Sequence, residues 1–163
     1  LTAVETFDGA CRIYYRISDT GLITAQAAHP AGPYPEHSMR IISDYASESY
    51  TEDPCVFRVD DRYEMLSKDS SGDFTREPFA LLHSISEDGA TWEPAPEPKA
   101  ASRRIGWDDG TVRKQGNLER PYVLREHGQP THLYAATSDG VHTEVHPAHY
   151  NADNTWCMVI PLA

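Results

Sequence analysis

Cysteines, basic residues and long apolar runs are all scarce in this sequence, and each scarcity excludes a class of protein. Three cysteines in 163 residues, none of them in a C-x-x-C pair, are too few for a disulfide framework or a cysteine zinc site. The 14 Lys and Arg residues against 25 Asp and Glu give a net charge of −11, which argues against nucleic acid and anionic membranes as partners. No apolar run approaches the roughly 20 residues that a membrane span needs.

What is present is the composition of one globular domain. Hydrophobic residues make up 39% and charged residues 24% of the 163 residues, which is enough for a single apolar core. Cys11, Cys55 and Cys157 each have apolar neighbours, which predicts buried free thiols. The sequence begins with neither Met nor a basic-then-apolar leader. We therefore expect the natural chain to start upstream, and the compartment (secreted, periplasmic or cytoplasmic) stays open.

Short strand-like runs dominate the chain, and no window has sustained 3.6-residue apolar periodicity. Turn dipeptides such as Asp8-Gly9, Asp88-Gly89 and His127-Gly128 separate the runs and are typical of hairpins. The pattern predicts an all-β protein. The proline-spaced segment 93–99 is expected to be an extended connection outside any sheet, because proline cannot donate to a ladder. The predicted strands are 11–18, 22–27, 39–42, 55–59, 62–67, 79–85, 121–125, 132–137 and 155–160.

One segment recurs in the sequence. Residues 52–58 (EDPCVFR) and 119–125 (ERPYVLR) share Glu, Pro, Val and Arg at a period of 67 residues. A turn and a second strand follow each copy, and residues 3–15 have the same strand–turn–strand shape. Strand meanders can produce such a match by chance, but four identities in seven positions favour a repeat. Repeats of this size, each a small antiparallel sheet, are typical of β-propeller blades.

We expect blade-like units over about 1–50, 51–115 and 116–163 of this chain. Three blades cannot close a ring, because the smallest propellers have about four. The sequence therefore predicts an incomplete ring of about three blades. Such a ring either belongs to a longer propeller or is covered at its exposed blade edges by a homo-oligomer.

The two repeated segments place acidic residues where a shared pocket is expected. Inner strands of a propeller begin near its central cavity, so Glu52, Asp53 and Glu119 should converge there. Two carboxyl groups at a fixed separation are what glycoside hydrolysis requires, one to protonate the leaving oxygen and one to activate water or attack. The alternative for each segment is an acidic turn with no chemical role.

The order of these motifs resembles a known group of enzymes. Glu52-Asp53-Pro54, Tyr63, the turn 86–92 (SEDGATW) and Glu119-Arg120-Pro121 resemble the five-bladed β-propeller glycoside hydrolases of families 43 and 117, over their later blades. The resemblance implies that Glu119 is the general acid and that Asp53 orients it and tunes its pKa. It also implies a general-base Asp on the first blade of the family fold, for which this sequence has no counterpart.

Further residues are candidates for binding substrate: Glu52, Arg120 and Trp107 by their position and chemistry, and His83 because the resemblance places a comparable His there. Arg120 could instead form an ion pair, His83 could be a satisfied core residue, and Trp107 could pack at a blade joint. Relatives often carry calcium or another ion on the propeller axis, so a Ca²⁺ site is implied without a choice of ligand.

His142, His146 and His149 form a separate histidine cluster. On a helix, Pro147 would interrupt the turn that brings His142 and His146 together. On a strand they share a face but lie too far apart to chelate one ion easily. We therefore expect no zinc site in this segment.

The leading functional hypothesis is hydrolysis of glycosidic bonds in a plant or algal polysaccharide or oligosaccharide, by a chain that lacks part of the family fold. Its partner would be a carbohydrate substrate. The alternative is a non-catalytic propeller that binds carbohydrate or another partner without using Glu119.

Overall fold

The computed structural model describes residues 1–17, 21–42, 51–139 and 154–162, and within them the chain is almost entirely β. The strands form antiparallel meanders, so each strand pairs with its neighbour in the chain. The only other element there is a short 3₁₀ turn, Glu36–Ser38, and no helix of these residues could cross a membrane. The all-β class predicted from the sequence is confirmed.

Three sheets and one hairpin follow each other along the chain. The first sheet contains β1 (Thr2–Glu5), β2 (Cys11–Ile17), β3 (Gly21–Ala27) and β4 (Arg40–Ile41). The second contains β5 (Thr51–Val59), β6 (Arg62–Asp69), β7 (Ala80–Ser86) and β8 (Glu93–Ala101). A hairpin of β9 (Arg104–Gly106) and β10 (Val112–Lys114) precedes the third sheet of β11 (Leu118–Glu126), β12 (Gln129–Ser138) and β13 (Thr155–Pro161).

Hairpin turns form where the predicted dipeptides stand. His127 and Gly128 connect β11 to β12 with φ of 54° and 84°, and Glu126 pairs directly with Gln129 across the two-residue loop. Positive φ at both loop positions matches the right-handed twist of the flanking strands, which explains the short connection.

The proline-spaced segment is a strand, contrary to the expectation of an unpaired connection. β8 pairs with β7 through Ser84–Pro94 and Leu82–Lys99, with two register irregularities. It lies at the edge of its sheet, where a proline need not donate to a second neighbour, and irregular pairing accommodates the remaining prolines. The prediction failed because the exclusion of proline applies to central strands and not to edges.

The sheets are held together by two apolar clusters, one on each face of the second sheet. The cluster toward the first sheet contains Tyr14, Leu22, Ile42, Val56, Tyr63, Met65, Leu82 and Trp92. The cluster toward the third contains Cys55, Phe57, Leu66, Leu81, Leu118, Val123, Leu133, Ala135 and Met158. Alternate residues of β5, β6 and β7 supply the two clusters, since successive side chains of a strand point to opposite faces. Face-to-face packing of this kind is how propeller blades associate.

The turn 86–92 joins the first two sheets. Asp88 Oδ1 accepts hydrogen bonds from the backbone N–H groups of Ala90 and Thr91, both at 2.7 Å. The Tyr14 hydroxyl donates to the carbonyl of Gly89 at 2.8 Å, and its ring meets Trp92 edge-on at 5.9 Å. This sequence motif therefore acts as a structural joint.

The cysteines are free thiols, but only two are buried. Cys11 and Cys55 lie in the interior, whereas Cys157 is exposed. On β13 the neighbouring Met158 points into the core, so Cys157 points to the opposite face of the third sheet. Apolar neighbours in sequence predicted burial wrongly here, because the strand alternation decides which residue faces the core.

Candidate functional site

The repeated Glu-x-Pro segments form the same local structure, a β-bulge near the start of a strand. In β5 the pairing Glu52–Lys68 is followed by Cys55–Leu66, so β5 carries one extra residue. In β11 the pairing Glu119–Ala136 is followed by Tyr122–Tyr134, again with one extra residue. The residue before each proline has positive φ, 56° at Asp53 and 48° at Arg120. Bulges re-aim neighbouring side chains, and these two set the direction of Glu52 and Glu119.

The two bulges contact each other across the joint between the second and third sheets. The backbone N–H of Arg120 donates to Asp53 Oδ2 at 3.1 Å. Arg125 Nη1 donates to the carbonyl of Arg58 at 3.0 Å, and both contacts join residues 67 positions apart. Equivalent positions of the repeat thus stack on one another, which places Asp53 beside the segment that carries Glu119.

Lys68 lies between the two glutamates. Its Nζ is 2.5 Å from Glu52 Oε1 and 2.9 Å from Glu119 Oε1, and its side chain is only 3% exposed. It is the second-last residue of β6 and pairs directly with Glu52. The structure therefore brings Glu52 and Glu119 together as the sequence predicted, but through a buried lysine.

Both glutamates have further partners. Glu119 Oε1 also accepts from Asn117 Nδ2 at 2.7 Å, and Glu119 Oε2 accepts from Arg120 Nη1 at 2.9 Å. Glu52 Oε2 accepts from Arg16 Nη1 at 3.1 Å. The result is an alternating row of charges that runs from Arg16 on the first sheet to Arg120 on the third.

The electrostatics of Lys68 reflect this setting. Burial disfavours its charged form, but the hydrogen bonds and charges of Glu52 and Glu119 outweigh burial and raise the pKa of Lys68 to about 12. Lys68 is therefore a permanent cation at neutral pH. Its charged hydrogen bonds fix the position of one oxygen of each glutamate.

His83 and Trp107 lie in other surroundings. His83 Nε2 is 3.1 Å from Glu64 Oε2, and the hydrogen bond to His83, with that from Arg62, holds the pKa of Glu64 below its usual value despite burial. Trp107 packs against the apolar cluster between the second and third sheets, and its ring N–H is buried without a hydrogen-bond partner in the described structure. These contacts give each residue a structural role, and their part in substrate binding stays a prediction.

Among the described residues, no group of three or more His, Cys, Asp or Glu side chains could hold a metal ion. The axial calcium that the resemblance implies stays a prediction, and we assign no chemistry to an ion. The histidine cluster at 142–149 lies outside the described residues.

Sequence reasoning missed Lys68, Asn117 and Arg16. Lys68 follows a core-forming run and precedes Asp69, so it looked like an ordinary strand end. The available signal was alternation: Leu66 and Lys68 share a face, and Leu66 is a core residue. A lysine in phase with core residues requires a buried anionic partner.

Comparison with known proteins identifies the architecture. No model of a protein family matches the chain, and no curated protein matches it. Solved structures do match: a xylan β-1,4-xylosidase from Bacillus halodurans C-125 has a TM-score of 0.61 at 11% identity and is matched over 98% of this chain and 30% of its own. An α-L-arabinanase from Cellvibrio cellulosa, complexed with arabinohexaose, has a TM-score of 0.61 at 10% identity, over 99% and 52%.

An endo-1,4-β-xylanase from Bacteroides thetaiotaomicron VPI-5482 gives a TM-score of 0.57 at 10% identity, over 99% of this chain and 57% of that enzyme. The chain thus spans between about a third and somewhat over half of these structures. Identities this low establish the fold and nothing finer. The resemblance drawn from the sequence motifs is confirmed at that level: this chain has the β-propeller fold of the five-bladed glycoside hydrolases, over part of their length.

Proposed function

We propose that this chain carries part of a glycosidase active site, in which Glu119 protonates the leaving oxygen of a glycosidic bond. The observation that supports this most is the joined pair of bulges, in which the Asp53 carboxylate accepts from the backbone N–H of Arg120, the residue after Glu119. A shared fold alone does not define an activity, so the proposal depends on these side chains. The substrate class is a plant or algal polysaccharide or oligosaccharide.

The two oxygens of Glu119 have different roles in this proposal. Oε1 is fixed by buried Lys68 and by Asn117. Oε2 accepts from Arg120, whose side chain is 71% exposed. A sugar that displaces the Arg120 guanidinium gains access to Oε2 and removes a cation from it. Removal of that cation favours protonation of the carboxyl group, which a general acid requires.

Asp53 acts on Glu119 indirectly. Its carboxylate accepts from the backbone N–H of Arg120, so it fixes the peptide next to Glu119 and keeps a negative charge nearby. A neighbouring negative charge favours the protonated form of an acid. Asp53 is therefore a positioning residue and Glu119 the catalytic one.

The test compares leaving groups in wild type and Glu119→Gln. Glutamine keeps an oxygen for Lys68 but cannot donate a proton in acid catalysis. Turnover of an unactivated oligosaccharide should fall by about 10²-fold or more, since general acid catalysis contributes this much. Turnover of a dinitrophenyl glycoside should fall far less, because that leaving group departs without protonation. Glu126→Gln, at the exposed end of β11, is the matched control.

Equal losses on both substrates would show that Glu119 is not the acid. Full turnover in Glu119→Gln would exclude it from the reaction. Binding of an oligosaccharide that is unchanged in Glu119→Gln, without turnover of either substrate, would favour the non-catalytic alternative.

A further inference from the structure

A cleft opens at the end of the sheets opposite to Lys68. Lys68 pairs with Leu81 near the start of β7, whereas the cleft borders Ala90, which follows the end of that strand. Its volume is about 670 Å³, a size typical of small-molecule sites. It lies between β2, β3 and the segment 28–40, and its polar lining includes Arg12, Gln26, His37, Ser38 and Arg40.

The polar groups of this cleft mostly donate hydrogen bonds. Arg12 donates to Gln26 Oε1 through Nε at 3.2 Å and Nη2 at 2.6 Å, so the amide nitrogen is the group that Gln26 has left to offer. Arg40 Nη1 donates to the carbonyls of His37 and Met39 at 2.9 and 2.8 Å. Its Nη2 and Nε have no hydrogen-bond partner in the described structure, so one edge of the guanidinium remains available to a ligand.

The lining residues that the structure describes include no carboxylate. Asp8 is nevertheless close enough to Arg12 that, beside the hydrogen bond from Thr6, the Arg12 charge helps to lower the pKa of Asp8. Asp8 and Asp88, on the flanking turns, direct their oxygens into their own loops: Asp8 Oδ1 accepts from Thr6 Oγ1 and the N–H of Ala10, and Asp88 accepts from Ala90 and Thr91. In a chain of net charge −11, a concave site whose described lining has two arginines and no carboxylate favours an anionic ligand.

We propose that this cleft binds an acidic saccharide through its carboxylate or sulfate group. The free edge of Arg40 receives the anion, because a planar guanidinium matches the geometry of two oxygens. The Gln26 amide and the His37 ring are placed to bond neighbouring hydroxyl groups. The site does not depend on the chemistry of Glu119. It would hold a polysaccharide at the end of the sheets away from Glu52 and Glu119.

The test is an NMR titration of the folded chain with a uronic-acid trisaccharide, its carboxyl-reduced neutral counterpart, and inorganic sulfate. The acidic trisaccharide should saturate below about 10 mM and shift the Gln26 side-chain amide. Arg40→Gln should weaken binding by about tenfold or more, as expected for loss of a charged hydrogen bond. Arg113→Gln, on exposed β10, is the control for general charge and should leave affinity unchanged.

His37→Ala gives a second variant in case Arg40→Gln fails to fold, and it should weaken the trisaccharide more than sulfate. Lack of saturation by the acidic trisaccharide would overturn the proposal. So would equal affinity for the neutral sugar, an unshifted Gln26 amide, or full affinity in Arg40→Gln. If sulfate binds as tightly as the acidic trisaccharide, the cleft recognises the anion alone, and the proposal of a saccharide ligand is overturned. Retained binding in Glu119→Gln would support the independence of the two sites, and its loss would refute it.

Discussion

Replacing Lys68 by methionine removes the cation on which the candidate site is built. The side chain keeps its length and apolar stem but leaves Glu52 and Glu119 facing each other without the charge between them. Arg16 and Arg120 remain as partners at the outer ends of the row. Lys68→Met should therefore destabilise the fold through repulsion and incomplete solvation of two half-buried carboxylates, more than through loss of packing.

The expected loss is about 2–4 kcal/mol at neutral pH. Breaking a buried ion pair by removing one partner costs about 3–5 kcal/mol, and the remaining arginines and partial exposure of the glutamates reduce that figure. The raised pKa of Lys68 agrees with this figure, since a rise from 10.5 to about 12 corresponds to about 2 kcal/mol. Because the pKa of Lys68 is raised on folding, this stabilisation is complete below about pH 10.5 and is lost as the pH rises through about 12.

Urea unfolding of wild type, Lys68→Met and Lys99→Met at about pH 7 measures the effect. Lys99 forms a 3.1 Å pair with Glu77 but is 36% exposed, so its replacement should cost at most about 1 kcal/mol. Equal losses for the two variants would refute the assignment of Lys68 as the buried counter-ion.

Two further predictions concern carboxylates outside the candidate site. Asp69 is fully buried and accepts from the N–H and hydroxyl of Thr75 at 2.8 and 2.9 Å, so Asp69→Asn should cost about 2–4 kcal/mol in urea unfolding. Asp73→Asn, at an exposed position, should cost under about 0.5 kcal/mol. Equal costs for Asp69→Asn and Asp73→Asn would contradict the role given to the buried Asp69 carboxylate. His83 helps to lower the pKa of Glu64, so the stability that the Glu64 carboxylate contributes is lost as the pH falls. Between about pH 6 and pH 3 the wild type should therefore lose more stability than Glu64→Gln. Parallel pH profiles of the two proteins would contradict this role of Glu64.

Most of the fold could be predicted from the sequence because period-two alternation and turn dipeptides are local signals. The repeat at 67 residues carried information of longer range, since it marked the two bulges that meet across a sheet joint. Lys68 could not be found in this way. Its role depends on which strand pairs with Glu52 and on the packing of the third sheet, and neither is encoded within one segment. Cys157 shows the same limit, because its neighbours do not reveal which face of β13 is buried.

Stabilisation of the fold alone does not explain the alternating row of charges from Arg16 to Arg120. Buried ion pairs can often be replaced by apolar residues of similar volume without loss, even though removing one partner is costly. An apolar joint would have held these sheets together, as the two clusters on either side of the second sheet already do. What the row supplies instead is a carboxyl group with one oxygen fixed by Lys68 and Asn117 and the other beside an exposed arginine. Fixed geometry on one side and an exchangeable partner on the other are requirements of proton transfer, and that is the physical reason to look for catalysis at Glu119.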